Sequence, residues 1–159
     1  MGFVVFLDID GVLNTRTTCQ VAPSGYQGVD DERVKLLAKA MKEVSAEGIV
    51  LTSTWKDLKD GADDRDYLLS KFAEYNLSVL DSTTDTSVHK RGEGVLNYLR
   101  SHNEIDEFVV IDDMQFDFED YTKIWESFLD TKGKGIENVV AASRTPSVAA
   151  MLFMDALLE

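Results

Sequence analysis

The chain is poor in several residues that would each point to a particular class of protein. Its single cysteine, Cys19, cannot form an intrachain disulfide, which fits a reducing compartment and leads us to expect a cytoplasmic protein. Its two histidines, His89 and His102, match no catalytic or metal-ligand spacing. No apolar run approaches the ~20 residues that cross a bilayer, so we expect no membrane-spanning segment.

Basic residues are scarce as well. Sixteen Lys and Arg face 29 Asp and Glu, which gives a net charge of −13. A surface this acidic repels polyanions at long range. Tight, non-specific binding to a long nucleic acid needs several cations on phosphates, so we do not expect it here. One phosphate that reaches a metal-filled pocket is not excluded.

The N-terminal apolar run has no basic region before it and contains Asp8, which argues against a signal peptide. A length of 159 residues predicts a single domain, residues 1–159. Short apolar strands separated by helical patterns predict an α/β fold, with a central parallel sheet of the Rossmann type and helices on both faces. We expect strands at 3–7, 49–51, 77–80, 107–111, 127–130 (an edge strand) and 139–142. We expect helices at 31–46, 64–75 and 93–101, a loop and an amphipathic helix over 116–125, and a last helix from Thr145-Pro146.

Several boundaries are predicted from single residues. Asp30 is expected to cap the first helix and Gly48 to end it. Pro146 is expected at the first position of the last helix. On that helix, Val148, Met151, Leu152 and Leu158 recur at helical spacing, which predicts its buried face.

Two apolar strands end in pairs of acids. Phe3–Leu7 runs into Asp8-Ile9-Asp10-Gly11, and Phe108-Val109-Val110-Ile111 runs into Asp112-Asp113. A lone Asp at such a place is most often a cap or turn residue. Four like charges brought to one point at the carboxyl end of a sheet would repel strongly without a hard dication. Carboxylates plus waters and a phosphate are the usual ligands of Mg²⁺, so we predict a magnesium site.

Two further groups lie at predicted element ends. Thr52-Ser53 follows the second strand, and hydroxyls with free backbone N–H groups at such a turn form a phosphate seat; the alternative is a simple helix cap. Lys90-Arg91 precedes a helix, where basic residues oppose the helix dipole and therefore indicate a nearby anion. Two solvent-facing charges are the alternative there.

Residues 14–29 are polar and small, and predict a loop or short hairpin flap over the end of the first strand. Residues 15–18 are candidates for substrate contact, although a plain solvated loop is the preferred interpretation. The loop at 81–89 is rich in Thr, Ser and Asp.

This order of groups suits phosphoryl transfer through an aspartyl-phosphate. One carboxylate attacks phosphorus, and a second, two residues on and therefore on the same side of an extended chain, protonates the leaving oxygen. A dication lets the two anions approach. A hydroxyl and a cationic side chain stabilise the equatorial oxygens.

These residues resemble the motifs of the haloacid dehalogenase (HAD) superfamily of phosphohydrolases. Asp8-Ile9-Asp10-Gly11-Val12-Leu13 is similar to its first motif, and Thr52-Ser53, Lys90 or Arg91, and Asp112-Asp113 follow in the order of the other three. The resemblance implies that Asp8 is the nucleophile and Asp10 the acid and base. It also implies Mg²⁺ ligation by Asp8, by the Asp10 backbone carbonyl and by the Asp112-Asp113 pair, and phosphate contact by Thr52 or Ser53 and by Lys90 or Arg91.

Val50-Leu51-Thr52-Ser53-Thr54-Trp55-Lys56 and Arg91-Gly92-Glu93-Gly94 resemble a small branch of the superfamily associated with RNA-end repair. The chain departs from that branch at Lys56, where the branch has Arg, and at Tyr98, where it has Trp. The superfamily favours Lys in its third motif and the branch favours Arg, so Lys90 and Arg91 both remain candidates. The intervals between motifs leave no room for a cap domain, and an open site would admit the phosphorylated end of a large molecule.

Two other functions would also use these acidic residues or this scaffold. A receiver domain also uses Mg²⁺ and a phosphorylated Asp, but its second acidic position precedes its Thr and Lys, whereas Asp112-Asp113 comes last here. A non-catalytic binding protein on a HAD scaffold is the remaining alternative, and retention of both Asp8 and Asp10 argues against it. The expected partner is a phosphorylated small molecule, nucleotide or macromolecular end.

Overall fold

A six-stranded sheet organises the chain in the computed structural model, which describes residues 2–57, 62–84 and 90–159. The strand order is β3-β2-β1-β4-β5-β6, and all neighbours are parallel except β5 and β6. The strands are β1 (Phe3–Leu7), β2 (Ala46–Leu51), β3 (Val79–Ser82), β4 (Glu107–Asp112), β5 (Phe128–Asp130) and β6 (Val140–Ala141).

Five helices in the described part of the chain cover the two faces of this sheet. They are α1 (Asp31–Glu43), α2 (Asp63–Glu74), α3 (Arg91–Ser101), α4 (Thr122–Trp125) and α5 (Val148–Leu158). Short 3₁₀ turns lie at Thr54–Asp57, Gln115–Asp117 and Ile136–Asn138. The predicted three-layer α/β fold without a large cap is confirmed.

β1 lies at the centre of the sheet, between β2 and β4, and all five of its residues are buried. Side chains on one face of the sheet pack with α1, α2 and α5 through residues such as Leu37, Phe72 and Phe153. Those on the other face pack with α3 and α4 through residues such as Val95 and Ile124. Burial on both faces explains why the strand is continuously apolar instead of alternating.

The predicted boundaries around α1 need correction. The helix ends at Glu43, and the next turn closes through Ser45, whose φ of 56° lies in the left-handed region. Gly48 therefore does not end the helix, because it lies inside β2, which starts at Ala46, and pairs with Val4. Asp30 stands at the N-cap position, but its side chain makes no cap hydrogen bond. Instead it accepts from Thr18 and Arg33.

The stretch between β4 and β6 also differs from the prediction. The loop and helix expected over 116–125 are both present, but the helix, α4, is only one turn long and a 3₁₀ turn precedes it. β5 is not the edge strand, because β6 pairs with it on the outer side. Ser127, placed in the predicted strand, instead shares a hydrogen bond with Ser147.

The last helix buries a different face from the predicted one. Val148, Met151, Leu152 and Leu158 are exposed, and the buried residues are Ala149, Ala150, Phe153, Ala156 and Leu157. Pro146 precedes the helix, whose N-cap is Ser147: its hydroxyl accepts from the Ala150 backbone N–H at 3.1 Å. Phe153 stacks on Phe3, with ring centroids 6.1 Å apart.

None of the helices in the described residues is long and apolar enough to cross a membrane. Residues 85–89 of the loop predicted at 81–89, including His89, lie outside the described residues, as do residues 58–61 after Trp55.

Candidate active site

Three neighbouring strands end side by side and place the predicted residues together. Leu7 of β1 is in register with Leu51 of β2 and Ile111 of β4. The residues that follow are therefore adjacent: the Asp8 N–H donates to the Ile111 carbonyl at 3.0 Å, and the Thr52 N–H donates to the Leu7 carbonyl at 3.0 Å. This register brings Asp8 between Thr52 and Asp112.

Three carboxylates converge at this edge of the sheet. Asp8, Asp112 and Asp113 each offer an oxygen, and these oxygens lie within 4.8 Å of one another. Asp8 and Asp112 are buried, with 3% and 0% of their surface exposed. Asp112 is held by its own turn, since its Oδ1 accepts from the backbone N–H groups of Asp113 at 2.7 Å and Met114 at 3.0 Å.

Arg91 is the cation that the fold brings to these carboxylates. Its Nη1 lies 3.3 Å from Asp8 Oδ1 and 3.1 Å from Asp112 Oδ2. Lys90 is exposed, and its ammonium lies 3.9 Å from Glu93 at the surface. Arg91 reaches the site because Gly92 lets the start of α3 lie close to the 3₁₀ turn Gln115–Asp117. A Cβ at Gly92 would lie 2.4 Å from the Asp117 carbonyl oxygen.

The electrostatics of the cluster reflect its burial. Burial raises the pKa of Asp8 well above its ordinary value, the neighbouring Asp112 carboxylate raises it further, and Arg91 opposes both. Burial likewise raises the pKa of Asp112 to about 7, against the lowering effect of Arg91. Burial alone would lower the pKa of Arg91, but Asp8 and Asp112 raise it above its ordinary value.

The donor set fits a hard divalent cation. One guanidinium does not balance three clustered carboxylates, and burying uncompensated carboxylates costs several kcal/mol each. Carboxylate oxygens are the ligands that Mg²⁺ prefers. Asp8, Asp112 and Asp113 would hold such an ion.

Asp10 is oriented differently from the other acids. Its side chain is exposed, and its Oδ1 accepts from Asn14 Nδ2 at 3.0 Å and from Trp55 Nε1 at 3.3 Å. Asn14 is itself fixed, since it accepts from the Gly11 N–H and donates to the Gly28 carbonyl. The Asp10 carboxylate therefore stands beside the cluster, directed away from the shared metal position.

The two hydroxyls predicted for phosphate contact are not equivalent. Thr52 is completely buried, and its Oγ1 has no hydrogen-bond partner among the described residues. Leaving a buried hydroxyl unpaired costs about 1–3 kcal/mol, which is accepted at sites where a ligand supplies the partner. Ser53 is buried as well, but its Oγ accepts from the Trp55 N–H at 3.3 Å.

Two clefts meet at Asp10. The smaller, about 420 Å³, is lined by Asp10, Tyr26, Gln27, Thr54, Trp55 and Asp64. The larger, about 1190 Å³, extends along the other side, past the predicted flap at 14–29 and the turn after β5. The site is thus open at the surface, and residues 14–29 border both clefts.

A comparison with protein-family models decides the family. The model for the HAD domain in Swiss Army Knife RNA repair proteins matches residues 4–139. The chain belongs to this HAD family. No curated protein matches the chain. Membership of the family indicates a hydrolase of the phosphatase type in general.

Two side chains of this HAD site were given no role from the sequence. Asn14 and Trp55 both hold the Asp10 carboxylate. The signal was present, because Asn14 directly follows the first motif and Trp55 lies two residues after Ser53. Thr131 gave no such signal; its hydroxyl donates to the Gly11 carbonyl at 2.8 Å and ties the turn after β5 to the motif-one loop.

Proposed function

We propose that this HAD protein is a magnesium-dependent phosphomonoesterase that works through a phosphorylated Asp8. The observation that carries the proposal is the buried Asp8 carboxylate, clustered with Asp112 and Asp113 and facing Arg91. Burying a carboxylate beside two others is costly, and a nucleophile for phosphorus at this position gives a chemical reason for it.

In the first step an Asp8 oxygen attacks phosphorus, and the bond from phosphorus to the ester oxygen breaks. Asp10 gives its proton to that leaving oxygen. In the second step Asp10 takes a proton from water as the water attacks phosphorus, which releases phosphate and restores the Asp8 carboxylate. Asn14 and Trp55 leave one Asp10 oxygen for this work, because both donate to Oδ1.

The equatorial oxygens need donors, since their charge must be stabilised in the transition state. Arg91 supplies N–H groups from α3 and already contacts the nucleophile. Thr52 supplies a hydroxyl whose partner would be a phosphate oxygen. We therefore assign phosphate contact to Arg91 and Thr52, and not to Lys90 or Ser53.

Bound Mg²⁺ would neutralise the nucleophile and the phosphate so that two anions can approach. Asp8, Asp112 and Asp113 would hold it with side-chain oxygens, and the Asp10 backbone carbonyl is proposed as a further ligand. The Asp10 side chain keeps its separate role.

The proposed substrate is a nucleotide or the terminal phosphate of a nucleic acid. The family description refers to RNA repair proteins, and the clefts at Asp10 are open enough for a large leaving group. We also propose a cytoplasmic location. It is based on the single cysteine, which fits a reducing compartment.

The test is a panel of phosphate esters assayed with and without Mg²⁺, including p-nitrophenyl phosphate, nucleoside monophosphates, and oligonucleotides with a 3′- or 5′-phosphate. We expect Mg²⁺-dependent phosphate release that Asp8→Asn abolishes. Asp155→Asn is the matched control, because it removes the same charge from an exposed residue that lies beside Phe3, at the opposite end of β1. Absence of phosphate release across the panel would contradict the phosphatase and favour a binding protein.

A further inference from the structure

The larger cleft carries an unusual share of the positive charge. Four of the chain's 16 basic residues line it: Arg16, Arg33, Lys132 and Lys134. Its acidic lining residues are also four, Asp10, Asp113, Glu119 and Asp130. The cleft is therefore balanced in charge, whereas the whole chain carries −13.

Three of these cations remain directed to solvent. Arg33 is committed, since it pairs with Asp30 and with Glu137. Arg16, Lys132 and Lys134 are exposed, and no acid lies within ion-pair distance of their side chains among the residues that the structure describes.

Hydrogen bonds join the turn that contains Lys132 and Lys134 to the loop after β1, which contains Asp10 and Gly11. Thr131 donates its hydroxyl to the Gly11 carbonyl at 2.8 Å, and the Gly135 N–H donates to the same oxygen at 3.1 Å. The Lys132 N–H donates to Asp130 Oδ1 at 2.8 Å, inside this turn. The turn that contains both lysines is thereby anchored to Gly11, the residue after Asp10.

Arg16 lines the same cleft from a different segment of the chain. Its carbonyl accepts from Gln27 Nε2 at 3.2 Å, which ties it to the far end of the 14–29 segment. The preceding Thr15 N–H donates to the Thr18 hydroxyl at 2.8 Å. Arg16 and the two lysines therefore lie on two segments that are each held by hydrogen bonds. Both segments line one cleft, which also contains the proposed acid, Asp10.

We infer that Arg16, Lys132 and Lys134 form a subsite for a second phosphate on the leaving group, and that the preferred substrate is the phosphorylated end of a single-stranded oligonucleotide. The inference rests on the proposed phosphatase function. The leaving oxygen departs next to Asp10, so the rest of the substrate extends from there. A chain of phosphates suits a cleft with several cations, and the volume of about 1190 Å³ exceeds the ~300–1,000 Å³ of ordinary small-molecule pockets.

This subsite reconciles an acidic chain with a nucleic-acid substrate. The overall charge opposes binding along a strand, whereas the cleft accepts one end locally. The expectation of no tight, non-specific nucleic-acid binding is thus kept.

The test compares two triple variants that lose the same charge. One is Arg16→Ala/Lys132→Ala/Lys134→Ala. The control is Lys35→Ala/Lys42→Ala/Arg144→Ala, three exposed cations outside this cleft. Both are assayed for kcat/KM on a nucleoside monophosphate, a nucleoside 3′,5′-bisphosphate and an oligonucleotide with one terminal phosphate, across a salt series.

We expect the cleft variant to lose at least tenfold more kcat/KM on the oligonucleotide than on the monophosphate, and the control to show no such difference. Neutralising the second phosphate also predicts an additional salt slope of about −0.7 for wild type on the oligonucleotide, relative to the monophosphate. The cleft variant should lose most of that slope. Equal losses on both substrates would overturn the inference while leaving the phosphatase intact. If the cleft variant loses as much kcat/KM on the bisphosphate as on the oligonucleotide, the preferred substrate is not an oligonucleotide. A small bisphosphate would then be the substrate.

Binding gives a readout that does not need turnover. In the Asp8→Asn background, fluorescence anisotropy of a labelled, terminally phosphorylated oligonucleotide should show weaker binding when the three cleft cations are removed and unchanged binding in the control triple. If wild type releases phosphate from none of the esters, the proposed phosphatase activity is contradicted. The difference in binding between the two triple variants still tests the proposed subsite. Equal affinity of the two triple variants would overturn it.

Discussion

Replacing Arg91 by Met should destabilise the Mg²⁺-free protein by about 3–5 kcal/mol, the usual cost of removing one partner of a buried ion pair. The side chain is 19% exposed and contacts Asp8 at 3.3 Å and Asp112 at 3.1 Å. At an effective dielectric constant of about 20, each such contact is worth about 5 kcal/mol before desolvation is counted. Met keeps the apolar stem of the side chain and removes the guanidinium, with its charge and its hydrogen bond to Asp112.

The loss should depend on pH. Without Arg91, the buried carboxylates avoid part of the cost by staying protonated, so the destabilisation should be smaller at pH 6 than at pH 8. Urea unfolding followed by circular dichroism, with 1 mM EDTA present, measures it. Saturating Mg²⁺ should restore more stability to Arg91→Met than to wild type, since the ion replaces the missing charge.

Lys90→Met is the matched control, one residue away. The Lys90 side chain is 56% exposed and lies 3.9 Å from Glu93, and an exposed pair of this kind is worth about 0–1 kcal/mol. Equal destabilisation by the two substitutions, or a stable Arg91→Met protein at pH 8, would refute the reasoning.

Three further predictions concern Asp112, Trp55 and Gly11. Because burial raises the pKa of Asp112 to about 7 in the folded state, well above the unfolded value of about 3.9, the Mg²⁺-free protein should lose stability as pH rises from about 4 to 7. Thermal melts should show this slope shrinking in Asp112→Asn. Trp55→Phe removes the N–H that donates to Asp10, so kcat should fall more for alkyl phosphates than for p-nitrophenyl phosphate; equal losses would contradict this positioning role. Gly11→Ala should weaken Mg²⁺ binding in calorimetry, because its φ is 83° and a Cβ would lie 2.5 Å from Asp113 Oδ2; unchanged affinity would contradict it.

The sheet and the strand ends were predictable from local sequence. A continuous apolar run that stops at acids, as in β1 and β4, determines both the buried strand and the place where charge emerges. The strand order of the sheet makes these two strands neighbours, as expected from their acidic ends.

The face of α5 was not predictable by periodicity, because almost every residue of the helix is apolar. Packing against the sheet determines which face of the helix is buried. The buried alanines let the helix lie close to the sheet, and the Phe153 ring stacks on Phe3. Which of Lys90 and Arg91 turns inward was also open, since both precede the same helix. It depends on Gly92 and its close contact with residue 117, which a linear pattern does not contain.

The contacts of Trp55 and Thr131 cross the sheet edge. Trp55 reaches Asp10 from the turn after β2, and Thr131 reaches Gly11 from the turn after β5. Both contacts join segments far apart in the chain, so the sequence did not indicate the partner of either residue. Asn14 differs, because it lies only four residues from Asp10.

Isothermal titration calorimetry with Mg²⁺ tests the central claim most directly. The account predicts one specific site per chain in wild type. It also predicts at least a ~10-fold loss of affinity in Asp112→Asn, because losing even a hydrogen-bond partner of a metal ligand costs about 10–100-fold, and wild-type affinity in Asp155→Asn. If Asp112→Asn binds Mg²⁺ as tightly as wild type, the three carboxylates do not hold the ion beside Asp8.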